Sequence, residues 1–92
     1  MAWTVQYKNT KQVEKAVFKM TPSTRRAFGQ AVLDLMNEGP WPKGWKVREL
    51  HGSYKGALSL NLDIRHRMTY SVFSGILTIE IIEVSTRENA YQ

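Results

Sequence analysis

Residues 58–72 have the sequence LSLNLDIRHRMTYSV, in which apolar and polar side chains alternate. Successive side chains of a β-strand leave on opposite faces, so this alternation predicts strands with one apolar and one polar face. On the apolar face we expect Leu58, Leu60, Leu62, Ile64, Met68, Tyr70 and Val72. On the polar face, which points away from the core towards solvent, we expect Ser59, Asn61, Arg67 and Thr69.

Helical patterns precede this sheet in the chain. After a first strand at Ala2–Tyr7, apolar residues recur at helical spacing behind Asn9, which together with Gln12 has the pattern of a capping box. Thr21-Pro22 then predicts the start of a second helix, and Gly39-Pro40 predicts its end. Two helices in direct succession predict a helical hairpin.

The remaining strands complete the predicted fold. A short strand is expected at Lys46–Leu50, and Ser74-Gly75 is typical of a two-residue hairpin turn before a last strand at Ile76–Val84. We predict the order β-α-α-β-β-β, an α+β fold in which the helical hairpin packs on one face of a small, mainly antiparallel twisted sheet. No repeat, low-complexity tract or long linker interrupts the chain, so residues 1–92 are expected to form a single domain.

The charge of the chain is uneven. It carries 13 Lys and Arg against 8 Asp and Glu, a formal net charge of +5. The segment from Lys43 to Arg67 is strongly basic, whereas residues 76–88 are mainly acidic. A basic surface suits a polyanion such as nucleic acid or an acidic protein, and the alternative is a solvated surface that keeps the protein soluble.

The composition also limits the chemistry. The chain has no cysteine and 2 histidines. A disulfide framework, a thiolate nucleophile and a cysteine metal site are therefore excluded, and we expect neither a metal nor a cofactor. No apolar run approaches the roughly 18 to 20 residues that cross a bilayer, and the N-terminus lacks the pattern of a signal peptide, so we expect a cytoplasmic protein without membrane contact.

The polar residues fit one metal-free reaction. They lack the patterns of serine proteases, phosphate-binding loops and metal centres. Attack of an RNA 2′-hydroxyl on its adjacent phosphate needs a base, an acid and fixed cations. Arg67 and Arg87 can supply the cations, Glu49 or His66 the base, and Tyr91 or His66 a proton or a stacking surface. The structural alternatives are salt bridges for the charged residues and a packed chain end for Tyr91.

Two motifs resemble those of a known superfamily. Residues 66–72 have the sequence HRMTYSV and residues 84–91 the sequence VSTRENAY. They are similar to the Tyr/His-Arg-aliphatic-x-Tyr-x-Val and Arg-x-x-x-Tyr motifs of the RelE/ParE superfamily of toxin-antitoxin toxins. The resemblance covers nearly the whole chain. It implies a toxin that enters the ribosomal A site and cuts the mRNA codon there, a cognate antitoxin that wraps the toxin, and a hetero-oligomer of the two that binds operator DNA.

The resemblance also implies a catalytic set. Arg67 matches the phosphate-binding arginine of the superfamily, Arg87 matches a second one, and Tyr91 matches its C-terminal tyrosine. Glu49 stands where YoeB-like members carry a catalytic glutamate. His66 with Arg67 is similar to the His-Arg pair of those members.

One departure from the superfamily concerns the third strand. Ser59 and Asn61 stand where RelE-like toxins often have lysine or arginine. Nearby basic residues can replace this charge, and the GSYKG turn at residues 52–56 is similar to that of YafQ-like members. The predicted RNA-binding set is therefore Lys46, Arg48, Lys55, Arg65 and Asn61.

Two other functions remain open at this point. The first is a ParE-like toxin that inhibits DNA gyrase and cuts nothing, since a fold does not fix its target. The second is a nucleic-acid-binding module in which Trp41, Trp45 and Tyr54 stack bases beside lysines. A simpler role for Trp41 and Trp45 is to pin the loop after the second helix over the edge of the core.

Overall fold

A computed structural model describes residues 3–52, 55–73 and 78–86 of the chain. In chain order the elements are β1 (Thr4–Tyr7), α1 (Thr10–Phe18), α2 (Pro22–Glu38), β2 (Val47–Glu49), β3 (Leu58–Asn61), β4 (His66–Phe73) and β5 (Thr78–Thr86). The five strands form one sheet in the order β1-β5-β4-β3-β2. β1 runs parallel to β5 and the other neighbours are antiparallel, which confirms the mainly antiparallel sheet.

The predicted α+β class and the helical hairpin on one sheet face are confirmed. The predicted order has three strands after the helices, whereas four separate strands follow α2; the short edge strand β2 lies within the strand predicted at Lys46–Leu50. The predicted hairpin turn at Ser74-Gly75 lies outside the described residues.

The core lies between the helices and the sheet. Its side chains come from both helices and from β3, β4 and β5, and the fully buried ones are Ala31, Leu35, Leu60, Met68, Tyr70, Ile79 and Ile81. The buried hydroxyl of Tyr70 donates a hydrogen bond of 2.6 Å to the carbonyl oxygen of Pro40. Burial raises the pKa of Tyr70, so the hydroxyl stays protonated and keeps donating. This bond ties the central strand β4 to the loop that follows α2.

Of the two predicted helix starts, the one at Thr21 is capped by a side-chain hydrogen bond and the one at Asn9 is not. Asn9 occupies the N-cap of α1, but its side chain makes no capping hydrogen bond. Thr21 caps α2 as predicted, since its Oγ1 accepts from the backbone N–H of Thr24 at 3.4 Å. Gly39 ends α2 at φ 89°, and a side chain there would meet the indole of Trp3. Within the described residues, neither helix combines the length and apolar character that a membrane crossing requires.

β3 ends at Asn61, before the predicted end at Ile64. One carboxylate oxygen of Asp63 accepts from the backbone N–H groups of both Arg65 and His66, each at 2.7 Å. These bonds close the turn between β3 and β4 and place Ile64 at its tip, where it is 82% exposed. Ile64 therefore does not join the core, although the apolar-polar alternation of the sequence runs through the turn unbroken.

Candidate functional site

Two rows of polar side chains lie on the sheet face opposite to the helices. Residues paired in register across neighbouring strands leave on the same face, so the register defines both rows. We call this surface the outer face; its rows are Arg48, Ser59, Thr69, Glu83 and Asn61, Arg67, Ser85.

The centre of the outer face is closed to solvent, which corrects the expectation of an open polar face. Ser59 and Thr69 are each only 1% exposed, and Arg67 is half-buried. Among the described residues, neither the Nε of Arg67 nor the Oγ of Ser59 has a hydrogen-bond partner, although both atoms are buried. A buried donor without a partner is costly, because it has lost its hydrogen bonds to water.

Glu49 does not share this surface. It pairs in register with Leu58, a core residue, and therefore leaves the sheet on the helix side, at the exposed edge formed by β2. Its neighbour Arg48 pairs with Ser59 and takes the outer-face position instead. A shift of one residue along a strand moves a side chain to the other face. The structure thus separates the predicted base Glu49 from the predicted phosphate ligand Arg67.

His66 is also separated from Arg67 by the sheet. It shares the face of Met68, two positions along β4, and borders a shallow cleft beside Lys15 and Met20. Its Nδ1 lies 3.0 Å from an Oδ1 of Asp63. His66 therefore holds the β3-β4 turn and does not contribute to the outer face.

Asp63 collects several hydrogen bonds at this turn. Besides the bonds from the turn backbone and from His66, its Oδ2 accepts from the Oγ1 of Thr24 at 2.7 Å. Burial alone raises the pKa of Asp63, but the hydrogen bonds from Thr24, Arg65 and His66 outweigh it and hold the pKa well below its usual value. The ionised carboxylate thus ties the first turn of α2 to the β3-β4 turn.

We expect Asp63→Asn to lower the free energy of unfolding at neutral pH by about 1–2 kcal/mol, because amide oxygen is a weaker acceptor than carboxylate. The pKa of Asp63 is lower in the folded protein than in the unfolded chain, where it is 3.8. The ionised carboxylate therefore stabilises the folded protein above that pH, and this contribution is lost as the pH falls through the folded-state pKa. The difference between the wild type and Asp63→Asn should therefore be constant at neutral pH and shrink below about pH 4. Urea unfolding of both proteins from pH 7 downwards measures this difference in the free energy of unfolding. A difference that stays constant in acid contradicts a stabilising role for the ionised carboxylate of Asp63.

Two of the predicted RNA-binding residues lie on the outer face with Arg67. Asn61 pairs with Arg67 in register, and Arg48 lies on the neighbouring row of the same face. Lys46 joins them at an open groove of about 550 Å³ that runs between β2 and the loop after α2. Lys46, Arg48, Asn61, Trp41 and Trp45 all line this groove.

The other two predicted RNA-binding residues lie at opposite ends of β3. Arg65 is exposed in the β3-β4 turn, at the end where Asn61 pairs with Arg67. Lys55 is exposed in the turn before β3, beyond Leu58. At about 3.3 Å per residue, β3 alone puts about 10 Å between these ends. The structure thus brings Arg65 near Arg67 and leaves Lys55 apart from it.

Glu80 and Glu83 form an acidic pair on the outer face that the sequence analysis did not predict. Thr69 pairs with Glu83 but Tyr70 pairs with Ile81, so Ile82 is an extra residue that forms a bulge in β5. The bulge brings Glu83 to the same face as Glu80, whereas strict alternation places them on opposite faces. The sequence does contain a signal of this bulge, because the adjacent residues Ile81 and Ile82 break the apolar-polar alternation of the last strand.

The predicted residues Arg87, Tyr91 and Tyr54 lie outside the described residues. Their assignments stay predictions. β5 carries the chain as far as Thr86, whose register partner is His66, immediately before Arg67 in β4.

No protein-family model matches the chain, and no curated protein sequence matches it. Solved structures do. The chain is similar to the archaeal RelE-RelB complex from Pyrococcus horikoshii OT3, with 27% identity, a TM-score of 0.78 and coverage of 96% of this chain and 98% of that one. It is similar to YafQ from E. coli strain BL21(DE3), with 16% identity, a TM-score of 0.74 and coverage of 98% and 99%. It also matches the heterotetrameric YoeB-YefM toxin-antitoxin complex from Staphylococcus aureus, with 14% identity, a TM-score of 0.72 and coverage of 92% and 97%.

Proposed function

We propose, from the RelE/ParE-like fold of this chain, that it is the toxin of a type II toxin-antitoxin system and that residues 1–92 act as its single toxin domain. The proposed activity is ribosome-dependent cleavage of mRNA in the A site, without a metal ion. Cleavage proceeds by attack of the RNA 2′-hydroxyl on the adjacent phosphate and leaves a 2′,3′-cyclic phosphate.

The main support for this proposal is the position of Arg67. Its guanidinium is half-buried on the outer face, and its Nε has no hydrogen-bond partner among the described residues. Planar guanidinium groups bind phosphate oxygens in pairs of parallel hydrogen bonds, which match the geometry of the ligand. A phosphate bound by this guanidinium lies beside a fixed positive charge, which stabilises the extra negative charge of the transition state.

The base is assigned to Glu83 in place of Glu49. Glu83 is the diagonal neighbour of Arg67 across β4 and β5, a geometry in which the Cα atoms lie about 7–8 Å apart. Long side chains at this separation reach the same ligand, so a carboxylate at 83 can accept the 2′-hydroxyl proton while Arg67 holds the phosphate. Arg87 and Tyr91 keep their proposed roles as second cation and as proton donor or stacking residue.

The proposed partners are a cognate antitoxin, the ribosome and mRNA. The Pyrococcus horikoshii relative is a complex with RelB and the Staphylococcus aureus relative a complex with YefM. We propose that an antitoxin of this chain places acidic residues against the edge of the outer face that the exposed cations Lys46 and Arg48 line. Binding of operator DNA by the toxin-antitoxin hetero-oligomer, and residence in the cytoplasm, belong to the same proposal.

A brief induction of the protein in a bacterial host tests this function. Primer extension on an abundant message, translated in one strain and untranslated in another, should show new 5′ ends inside codons only when translation runs. Induced Arg67→Ala is the matched control and should give no new ends. Growth arrest without any new ends contradicts the nuclease and favours inhibition of DNA gyrase; normal growth without ends contradicts both.

A further inference from the structure

The loop after α2 is firmly anchored. The Nε1 of Trp45 donates to an Oδ2 of Asp34 at 2.9 Å, and the backbone N–H of Lys43 donates to Glu38 at 2.9 Å. The bond from Tyr70 to the carbonyl oxygen of Pro40 holds the start of the same loop. Residues 40–45 are therefore fixed to α2 and to the central strand β4.

Trp41 is exposed in spite of these anchors. Its side chain is 55% exposed and lines the groove described above, whereas Trp45 is half-buried and its N–H is bound to Asp34. The predicted pinning role thus applies to Trp45. The indole held half in water by this loop presents an aromatic surface at the groove, where a ligand can contact it.

The groove around Trp41 combines an aromatic surface with positive charge. Lys46 and Arg48 line it, Asn61 contributes an amide, and no acidic side chain is among its lining residues in the described part of the chain. Single-stranded nucleic acids bind where bases stack on aromatic rings and cations follow the backbone. The amide of Asn61 can in addition donate to and accept from the edge of a base.

The groove is continuous with the proposed cleavage site. Asn61 belongs to both, because it lines the groove and pairs in register with Arg67 on the outer face. Paired residues on neighbouring strands lie about 5 Å apart, so a nucleotide beside Asn61 is adjacent to a phosphate held by Arg67.

We propose that this groove is a nucleotide subsite, in which Trp41 stacks the base next to the cut phosphate and Lys46 and Arg48 bind the flanking RNA backbone. The subsite rests on the proposed function, because it takes its substrate from it. Stacking on an indole tolerates every base, so the groove gives affinity and register along the RNA more than sequence preference.

The test measures binding separately from cleavage. A short single-stranded RNA with 2′-O-methyl groups cannot be cut, because the attacking hydroxyl is blocked. We expect Trp41→Ala to weaken binding of this oligonucleotide about 10-fold in fluorescence anisotropy, and Trp41→Phe to retain most of the affinity. The matched control is Phe18→Ala, which removes another exposed aromatic side chain, 79% exposed on α1, and should leave binding unchanged.

An abasic scan of the same oligonucleotide distinguishes stacking from loss of fold. Removal of one base should weaken binding to the wild type at one position, and Trp41→Ala should be insensitive to removal of that base. Equal affinity of wild type and Trp41→Ala overturns the subsite, as does an abasic penalty that is the same in both proteins. Failure of the wild type to bind the RNA also overturns it, and binding of an acidic peptide that then depends on Trp41 assigns the groove to a protein.

The two proposals fail in different ways. Trp41-dependent binding of the oligonucleotide, combined with no translation-dependent ends in cells, retains the subsite and removes the nuclease. Translation-dependent ends from a folded Trp41→Ala protein that binds RNA as the wild type does retain the nuclease and remove the subsite.

Discussion

Arg67→Ala should lower translation-dependent mRNA cleavage by at least about 100-fold while the protein stays folded. Removal of one preorganised donor to a developing oxyanion typically costs 10²–10³ in rate, and Arg67 is the half-buried donor on the outer face whose Nε lacks a partner among the described residues. Cleavage in a purified translation system, measured by primer extension, gives the rate. Circular dichroism and urea unfolding establish the fold.

The cost of Arg67→Ala in stability should be about 1 kcal/mol or less. The half-buried stem of Arg67 packs on its neighbours, whereas its buried Nε without a described partner contributes little to the folded state. Arg67→Lys keeps the charge but loses the planar pair of donors, so its activity should lie between wild type and Arg67→Ala. Arg26→Ala, at an exposed arginine of α2, makes the same change in net charge and should cut normally. Wild-type cleavage by a folded Arg67→Ala protein removes Arg67 from the mechanism.

The fold could largely be predicted from local patterns. The alternation through Leu60 and Leu62 and through Met68 and Tyr70 gave the strands and their apolar face, because core residues at successive even positions leave on one side. Thr21 with the following proline gave the start of α2, because a side-chain acceptor and a fixed φ both favour a first helical turn. Each of these patterns is local, because it involves residues of the same strand or the same helix end.

The features that could not be predicted depend on side-chain contacts. Asp63 turns the chain back on itself through bonds to backbone groups, and the alternation through Ile64 hides this turn. The outer face is equally hidden, since Ser59 is polar in sequence and yet 1% exposed in the fold. Burial of that kind depends on the side chains of the neighbouring strands, which the pattern of a single strand does not contain.

The candidate site shows how register decides chemistry. Resemblance placed Arg67 and Glu49 in one catalytic set, and both residue types suit the reaction. The pairing of Glu49 with Leu58 puts its carboxylate on the helix side, and a bulge at Ile82 brings Glu83 to the side of Arg67. Neither the pairing partner nor the bulge follows from the two motifs, because each depends on a neighbouring strand.

Glu83→Gln and Glu49→Gln therefore make a direct test of the base. Glutamine keeps the shape of the side chain but cannot take a proton at this position, and loss of a general base typically costs 10²–10⁴ in rate. We expect Glu83→Gln to lower cleavage by about 100-fold or more, and Glu49→Gln to change it less than about threefold, since an exposed edge carboxylate on the far face touches no substrate. Single-turnover cleavage in the purified translation system measures both.

The pH profile separates a base from a residue that merely holds the site together. If the carboxylate at 83 takes the 2′-hydroxyl proton, the wild-type rate falls in acid as that carboxylate is protonated, and the remaining activity of Glu83→Gln lacks this acid limb. Glu80→Gln is the control on the same face, because Glu80 pairs with Ser71, further from Arg67, and should keep both the rate and the profile. An acid limb that persists in Glu83→Gln but disappears in Glu49→Gln returns the base to Glu49.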